Sequence, residues 1–479
     1  MQHLRRHSIK KARGTAPSLR RFFSSEDGNQ PDRRRPVVTF EDISTATYRV
    51  REGIQHTSCN YSAFLSKRMG YELFLKKDYR QMTGSFKERG ARNALMLLTP
   101  EQKLRGVIAA SAGTSSSSDI RQAHIDWDAL LPLGNHALAL AYHGRMLGIP
   151  VTCIMPTIAP LAKVKGCQEL GARVILYGAH ILEAKTKADE FDLVYINGFD
   201  HPNIIAGAGT MGIEILNQVP KADAIIVPVG GGGLIAGIAL AVKTLNPAIQ
   251  VIVRPSSSIV QCPFGKNSGV EPENCASFTA ALAAGYPVDT ANKPTLADGL
   301  AVPKVGANAF EVAAPLIDRM VTVSEKAIAL SVLRLCELEK VVVEGGGAAS
   351  LAALIDDKLP DLRGKRIVMP LCGGNIDTSV LGRVIERGMA ADGRLVRFVA
   401  TVPDRPGGIA GLATMLSEVG VSVKDIYHER AWLHSSVSMV QVKCVVETSS
   451  YEHGMELKAR LEQAGYPILW GNEAIRMGE

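Results

Sequence analysis

Thr83-Gly84-Ser85-Phe86-Lys87-Glu88-Arg89-Gly90-Ala91 places one lysine between a glycine–serine turn and a helix. Before it, Tyr71-Glu72-Leu73-Phe74-Leu75-Lys76 alternates with the period of a strand. After it, Ala91-Arg92-Asn93-Ala94-Leu95-Met96-Leu97-Leu98 repeats like an amphipathic helix until Pro100 ends it. Lys87 therefore stands near the start of a helix. The positive end of the helix dipole disfavours a protonated amine there. A desolvated amine of lowered pKa is what covalent chemistry on a carbonyl needs. Taken by itself, such a lysine is more often a solvated residue on a helix face, so its neighbours must decide.

A second stretch bears on the choice: Ile225-Ile226-Val227-Pro228-Val229-Gly230-Gly231-Gly232-Gly233-Leu234-Ile235-Ala236-Gly237. A bare glycine run is usually a linker. This one lies between an apolar strand and a helix, Leu234 to Leu245. Glycines let backbone amides approach a phosphate, and the helix N-terminus favours the anion. A dinucleotide fold would want G-x-G-x-x-G and an acid about twenty residues on, which the spacing here does not provide.

Ser85-Phe86-Lys87 with Arg89-Gly90-Ala91 resembles the S-F-K-x-R-G-A motif of the fold-type II pyridoxal phosphate enzymes. The threonine dehydratases and serine racemases are the most similar branch, and the resemblance covers nearly all of the chain after about residue 38. Cysteine-synthase relatives usually show S-x-K-D-R, so Glu88-Arg89 fits the dehydratase branch. The resemblance implies an α/β fold with two lobes of doubly wound parallel sheet, of the tryptophan synthase β type. It implies that Lys87 carries the cofactor through an imine and that Phe86 packs against it. Gly230, Gly231, Gly232, Gly233 and Leu234 would grip its phosphate.

At one loop the chain departs from that family. Gly106-Val107-Ile108-Ala109-Ala110 is a buried strand that delivers Ser111-Ala112-Gly113. The family continues as S-x-G-N-H-A, a tight loop that holds the substrate carboxylate and the pyridine 3-oxygen. Here Asn135-His136-Ala137 arrives only after residues 114–134, a stretch with neither helical nor strand period. Two readings fit: a real loop insertion, or an in-frame intron retained in the gene. Removing residues 114–134 restores S-A-G-N-H-A without a scar, which favours the second. Whether Gly113 or Gly134 closes the loop stays open. The resemblance makes Ser85, Ser111, Ala112, Gly113, Asn135 and His136 the substrate-binding set, with Asn135 also on the cofactor. An insertion retained here should cripple activity, because such donors must be placed to within about half an ångström.

Further on, Ile149–Pro156 reads as a strand, Lys163–Ala172 as a helix with a glycine stop, and Val174–Tyr177 as a strand. Strands alternating with helices at this spacing predict parallel βαβ units. Phe199–Pro202 and Ala206–Thr210 resemble family loops lining the cofactor crevice. In metal-binding relatives the strand after the tetraglycine helix ends in an acid. Here it reads Val251-Ile252-Val253-Arg254-Pro255, and arginine is no metal ligand, so no metal is expected. Ala297–Val302 and Val343–Ala348 match family loops; in the second, Glu344 opens a helix, and a dipole partner is the plainer account of it. Ile367–Asn375 is a strand ending in Cys372-Gly373-Gly374-Asn375. The family places a neutral serine or cysteine there, beside the pyridine nitrogen, which suits β-elimination. An ordinary buried thiol is the other reading of Cys372.

Beyond a short linker, Gly388 to Arg394, a separate unit follows. It reads as strand Leu395–Val402, helix Pro406–Val419, strand Val421–Trp432, strand Ser435–Thr448, helix His453–Gly465 and strand Pro467–Trp470. This βαββαβ order, with Asp404-Arg405-Pro406-Gly407-Gly408 at the first turn, resembles an ACT regulatory domain. The resemblance implies an amino-acid effector and pairing between subunits; a purely oligomerising domain is the alternative. The domains are then 1–30, leader and linker; 31–388, catalytic; and 389–479, ACT-like.

Charge and length agree with this division. A chain of 479 residues holds two or three domains, and 46% hydrophobic residues suffice for substantial cores. The net charge is +7. Arg5, Arg6, Lys10, Lys11, Arg13, Arg20 and Arg21 precede the first acid, Glu26, and account for all of it. The remainder is about neutral, so nucleic acid is a poor partner. An Arg- and Ser-containing start without acids reads as a mitochondrial transit peptide, with the matrix as destination; a disordered basic tail is the alternative. No apolar run reaches membrane-spanning length. The eight cysteines form no CxxC pair, so a zinc ribbon or disulfide framework is not indicated.

The implied reaction is β-elimination by a carbon–nitrogen lyase: L-threonine to 2-oxobutanoate and ammonia, with L-serine as the poorer substrate. Lys87 acts as general base, and the chain assembles as a dimer or tetramer. Such a lyase serves threonine catabolism or isoleucine biosynthesis. Racemases carry serine at the x of S-x-G-N-H, where this chain has Ala112. A serine dehydratase or racemase of the same fold, and a catalytically impaired amino-acid sensor, remain the alternatives.

Overall fold

The computed structural model describes residues 36–110, 134–157, 159, 161–178, 187, 190–251, 268–291, 293–430 and 438–471. The expected N-terminal leader lies outside them. None of the described helices is long and apolar enough to cross a membrane.

Two parallel sheets carry the larger part of the chain. The smaller lobe orders its strands Arg173–Leu176, Val151–Met155, Val107–Ala110 and Val194–Tyr195, all parallel. Val151–Met155 is buried on both faces, the apolar pattern of a parallel sheet covered by helices. The larger lobe runs Cys59–Tyr61, Glu72–Lys76, Arg366–Pro370, Ala224–Ile225 and Gln250–Val251, then continues through Val227–Pro228, Ser268–Pro272 and Arg319–Val323. Only the edge strand Cys59–Tyr61 is antiparallel to its neighbour. The two-lobed doubly wound α/β fold expected from the sequence is therefore present.

The pairing alters one expectation. Of the strand read over Val251 to Pro255, only Val251 lies among the described residues, and the next described strand is Ser268–Pro272. Ile225 pairs with Val251, and Val227 pairs with Gly269. The register advances two residues on one strand and eighteen on its neighbour. The strand that pairs with Val227–Pro228 ends in Glu271-Pro272; Arg254 lies outside the described residues. Glu271 is fully buried. It accepts from Phe278 N at 2.6 Å, Thr279 N at 3.0 Å and Thr279 Oγ1 at 2.8 Å. Burial lifts its carboxyl to about 7 against those three donors. The expectation of no metal rested on Arg254, which is not among the described residues.

Ala206–Thr210 is also corrected, because it is not a loop. It lies inside the helix Pro202–Gln218. Its glycines serve close packing: a Cβ on Gly207 would stand 2.5 Å from Arg89 O, and one on Gly237 would stand 2.5 Å from Gly209 N. Three helices, Lys87–Met96, Pro202–Gln218 and Gly233–Leu245, thereby meet backbone to backbone behind the cleft.

The C-terminal βαββαβ order is observed as strand Leu395–Pro403, helix Gly408–Val419, strands Ser422–Glu429 and Met439–Glu447, helix Tyr451–Gln463 and strand Ile468–Trp470. The sheet is antiparallel throughout, and it buries its own core of Phe398, Val402, Leu412, Val442, Cys444 and Leu457. The linker is shorter than expected, because the helix Thr378–Ala391 runs past Gly388. It is fastened by ion pairs: Arg394 and Arg334 both hold Glu337, and Arg334 also holds Asp392.

Candidate active site

The lysine motif is sewn to the end of a central strand. Gly84 turns the chain with φ +76°, a backbone that favours glycine. Ser85 then bridges Gly373, and Phe86 N donates to Cys372 O at 2.9 Å. The helix begins at Lys87. Lys87 Nζ donates to Gly198 O at 2.7 Å and lies 5.1 Å from the Phe86 ring centroid. Burial brings its pKa down to about 8, although Glu344 and Cys372 pull it back up. Lys87 is thus an amine with an accessible neutral form near physiological pH.

Behind that helix, two cations and two carboxylates fix its position. Arg89 donates to Asp78 at 2.7 and 2.8 Å and to Glu214 at 2.6 and 2.9 Å. Lys76 Nζ holds Glu214 at 2.5 Å, the Thr57 carbonyl at 2.6 Å and Gln218 at 2.9 Å. Burial alone would raise Asp78, but Arg89 outweighs it and keeps the carboxyl below its usual range. This explains the arginine of the motif: it ties the lysine helix to the strand before it and to the helix behind.

Across from Lys87 the chain gathers groups that are distant in sequence. Asn135, the first residue of the helix Asn135–Leu147, donates to Glu344 at 2.9 and 3.1 Å. Asn375 donates to Asn135 Oδ1 at 2.8 Å and to Thr83 O at 2.6 Å. Lys163 donates to Asn375 O at 3.0 Å. Glu344 is buried, which raises its pKa against Asn135, Lys163 and Lys87. Asp298 is raised well above the usual aspartate range by burial and then by Glu344. Lys163 was not singled out from the sequence, because a lysine in a helix carries no local mark of a cleft; Asp298 lay in the matched loop Ala297–Val302 but was given no role of its own.

His136 stands beside these groups. Its Nε2 lies 3.0 Å from Ile196 O, and a carbonyl only accepts, so Nε2 carries the proton. Burial, then Lys87, lowers its pKa to about 3, so the ring is neutral. Its Nδ1 has no hydrogen-bond partner among the described residues, and neither do Ser85 Oγ and Thr83 Oγ1. Cys372 is buried, and burial pushes its thiol well up, so the sulfur is neutral as well.

The glycine run closes the other side. Gly232, at φ +91°, precedes the helix Gly233–Leu245. A Cβ on Gly230 would meet Leu300 Cα at 2.9 Å, and a Cβ on Gly231 would overlap the Phe199 ring. Leu234 is buried beneath. Of the loop residues, Gly134 adopts φ +117° and caps the helix that starts at Asn135. Ser111, Ala112 and Gly113 lie outside the described residues, as does most of the stretch 114–134. Among the described residues no group of three or more His, Cys, Asp or Glu is placed to hold a metal.

The model of the pyridoxal-phosphate dependent enzymes matches residues 50–118 and 132–373, which include Lys87 and the glycine run. The chain belongs to that family. The match is interrupted over residues 119–131, within the stretch that the sequence marks as an insertion. The L-threonine ammonia-lyase of Thermotoga maritima is 37% identical over 436 residues, covering 90% of this chain and 99% of that protein. A processed threonine deaminase of Solanum lycopersicum superposes with a TM-score of 0.62 at 31% identity, covering 74% of this chain and 95% of its own. Maize serine racemase gives a TM-score of 0.62 at 29% identity, over 74% and 98%.

Family members use pyridoxal phosphate, and this cleft suits it. The glycine cradle has no room for side chains, and a helix N-terminus favours phosphate. Lys87, at the head of its helix, can be neutral near pH 8. The unpartnered Ser85 Oγ, Thr83 Oγ1 and His136 Nδ1 are polar atoms that a bound polar molecule would satisfy.

Proposed function

We propose that this chain is a threonine ammonia-lyase, converting L-threonine to 2-oxobutanoate and ammonia, with L-serine as a secondary substrate. The observation that carries the reading is the setting of Lys87. It is an amine of lowered pKa that donates to Gly198 O, next to the Phe199 that packs on Gly231 and Gly233, and it is within electrostatic reach of Glu344, which Asn135 holds. Similarity along 99% of the Thermotoga maritima ammonia-lyase supports the substrate.

In this reading Gly230 to Gly233 and Leu234 would hold the cofactor phosphate, Lys87 would bind it covalently, and Phe86, Asn135 and Cys372 would contact its ring. Bound pyridoxal phosphate supplies the electron sink that lets the Cα–H bond break. Lys87 receives the Cα proton as general base. Ser85, His136 and the loop Ser111-Ala112-Gly113 orient the substrate carboxylate, with Asn135 fixed between Glu344 and Asn375. The neutral Cys372 thiol adds no charge to the ring, which suits elimination.

The C-terminal unit reads as an ACT-like effector domain, and the oligomer as a dimer or tetramer. Asp404, at the turn expected to take an effector, is held by Arg430 at 2.8 and 2.9 Å. A cavity of about 430 Å³ opens instead at the other end of the strand, lined by Leu395, Arg397, Tyr451, Met455 and Trp470. It lies away from Lys87, so it bears on regulation rather than on chemistry. Residues 1–25 read as a mitochondrial leader; a fluorescent fusion that stays cytosolic would remove that reading.

The deciding assay is 2-oxobutanoate release from L-threonine, with added cofactor, by the full chain and by a form lacking residues 114–134. Turnover by the shortened form alone supports the lyase and marks the stretch as foreign to the working enzyme. Turnover by both makes it a tolerated loop. Turnover by neither, with L-serine also inert, leaves the sensor reading. Conversion of L-serine to D-serine instead would favour a racemase, the activity named for the maize structure that this chain resembles.

A further inference from the structure

Two chains of hydrogen bonds leave Thr83 and end on one helix. On the amide side, Thr83 N donates to Glu88 Oε1, and His143 Nε2 lies 3.2 Å from Glu88 Oε2. A carboxylate only accepts, so Nε2 carries the proton and donates. Arg92 Nη1 stands 3.5 Å from His143 Nδ1. A guanidinium only donates, so Nδ1 accepts, and the tautomer is fixed from both sides. On the carbonyl side, Thr83 O accepts from Asn375 Nδ2 at 2.6 Å, and the same amide donates to Asn135 Oδ1 at 2.8 Å. Asn135 and His143 both belong to the helix Asn135–Leu147. They stand two turns apart, about 12 Å along its axis. The bonds thus close a ring through Thr83, Glu88, His143, Asn135 and Asn375.

The ring spans the two segments to which the ammonia-lyase reading gives the substrate. Ser85 stands in the turn Thr83–Ser85, which leads into Lys87, and Asn135 and His136 head the helix. The turn is pressed against the ring, since a Cβ on Gly84 would overlap Asn375 Oδ1. Thr83 Oγ1 and Ser85 Oγ have no hydrogen-bond partner among the described residues. Glu88 and His143 are both fully buried behind the turn. An apolar pair of that size would cost folding less than a buried carboxylate and its partner. What the acid adds is direction: two oxygens, each fixed on one N–H.

We propose that Glu88 and His143 are positioning residues, which hold the turn Thr83–Ser85 in register with Asn135 and so align the two halves of the substrate-binding set. This rests on the ammonia-lyase reading. Neither residue touches substrate; both act through the Thr83 amide. Glu88→Gln keeps the shape and breaks the alignment. A glutamine offers one acceptor, and the Thr83 amide must donate to it. The glutamine NH2 then faces His143 Nε2, which accepts only if Nδ1 takes the proton, where Arg92 also donates.

The test compares variants in the holoenzyme form that turns over. Glu88→Gln and His143→Ala should each lower kcat/KM for L-threonine by about 10- to 100-fold, most of it as a rise in KM. His143→Gln, whose amide nitrogen reaches the place of Nε2, should stay within about threefold of wild type. The double variant Glu88→Gln/His143→Ala should lose no more than about twofold beyond the worse single one, because both cut the same chain. Backbone hydrogen exchange over Thr83–Ser85 needs no turnover. It should quicken by about 10-fold or more in His143→Ala and not in His143→Gln. Equal losses in the two His143 variants would show a packing role and overturn the assignment, as would an unchanged KM in Glu88→Gln. Fully additive losses, or exchange that is the same in all variants, overturn the ring. A wild type inert on L-threonine and L-serine removes the ammonia-lyase reading and the substrate role with it, while exchange still decides the ring. If Glu88→Gln does not fold, His143→Ala against His143→Gln carries the same comparison.

Discussion

Asn135 Nδ2 donates to both oxygens of Glu344, at 2.9 and 3.1 Å, across 209 positions of sequence. The contact joins the helix head of the smaller lobe to a turn of the larger one, and it does so beside Lys87. Removing one partner leaves the other buried without its bonds, a cost of about 1–3 kcal/mol. We expect Asn135→Ala to lower kcat/KM for threonine by about 10- to 100-fold and to destabilise the fold by about that energy. Steady-state kinetics and urea titration check this; unchanged values would place the pair outside the working site.

Lys87 makes a prediction that follows pH. Its pKa stands at about 8, so the nucleophilic neutral form grows as pH rises through that value. The rate at which pyridoxal phosphate reloads the stripped protein should rise with a midpoint near pH 8. A midpoint above 10, the range of a solvated lysine, would contradict the buried setting. Lys87→Arg should abolish the bound cofactor's visible absorbance shift and reduce turnover by more than about 10³-fold.

The buried quartet of Lys76, Asp78, Arg89 and Glu214 should be intolerant of partial removal. Arg89→Met leaves buried Asp78 without its paired cation and Glu214 with Lys76 alone, at a cost of about 3–5 kcal/mol. Denaturant unfolding should show a loss of that size, or no folded protein at all. Arg89→Lys should recover little, because one ammonium cannot reproduce the two forked contacts to Asp78 and Glu214.

Strand register gives the sharpest test. Deleting residues 252–267 joins Val251 to Ser268, so that Val251 and Gly269 keep their partners Ile225 and Val227 with one residue between. This variant should fold with a melting temperature no lower than the parent and with full cofactor content. Deleting residues 252–268 shifts the strand by one and sends each side chain to the opposite face. It should melt well below the first variant. Equal melting temperatures would refute the register.

The lysine motif, the glycine cradle and the βαββαβ order of the C-terminal unit were all determined by the sequence. Each depends on local chemistry: Lys87 stands after a Gly84-Ser85 turn and heads a helix, and four glycines follow an apolar strand. The alternation of strands and helices was equally local. What the sequence could not decide was contact between distant segments. Val251 to Pro255 read as the strand, nothing in the sequence singled out Gly269-Val270-Glu271, and only pairing with the neighbouring strand, through Ile225 and Val227, shows both Val251 and Gly269 in the sheet. That pairing puts Glu271 near the end of a strand of this sheet. Glycines at 206–210 read as loop, but tertiary packing made them helical, since close helix contact needs residues without side chains. The joining of Asn135, Lys163, Asp298 and Glu344 was likewise invisible, because ionisation in a cleft depends on burial and on partners more than a hundred residues away.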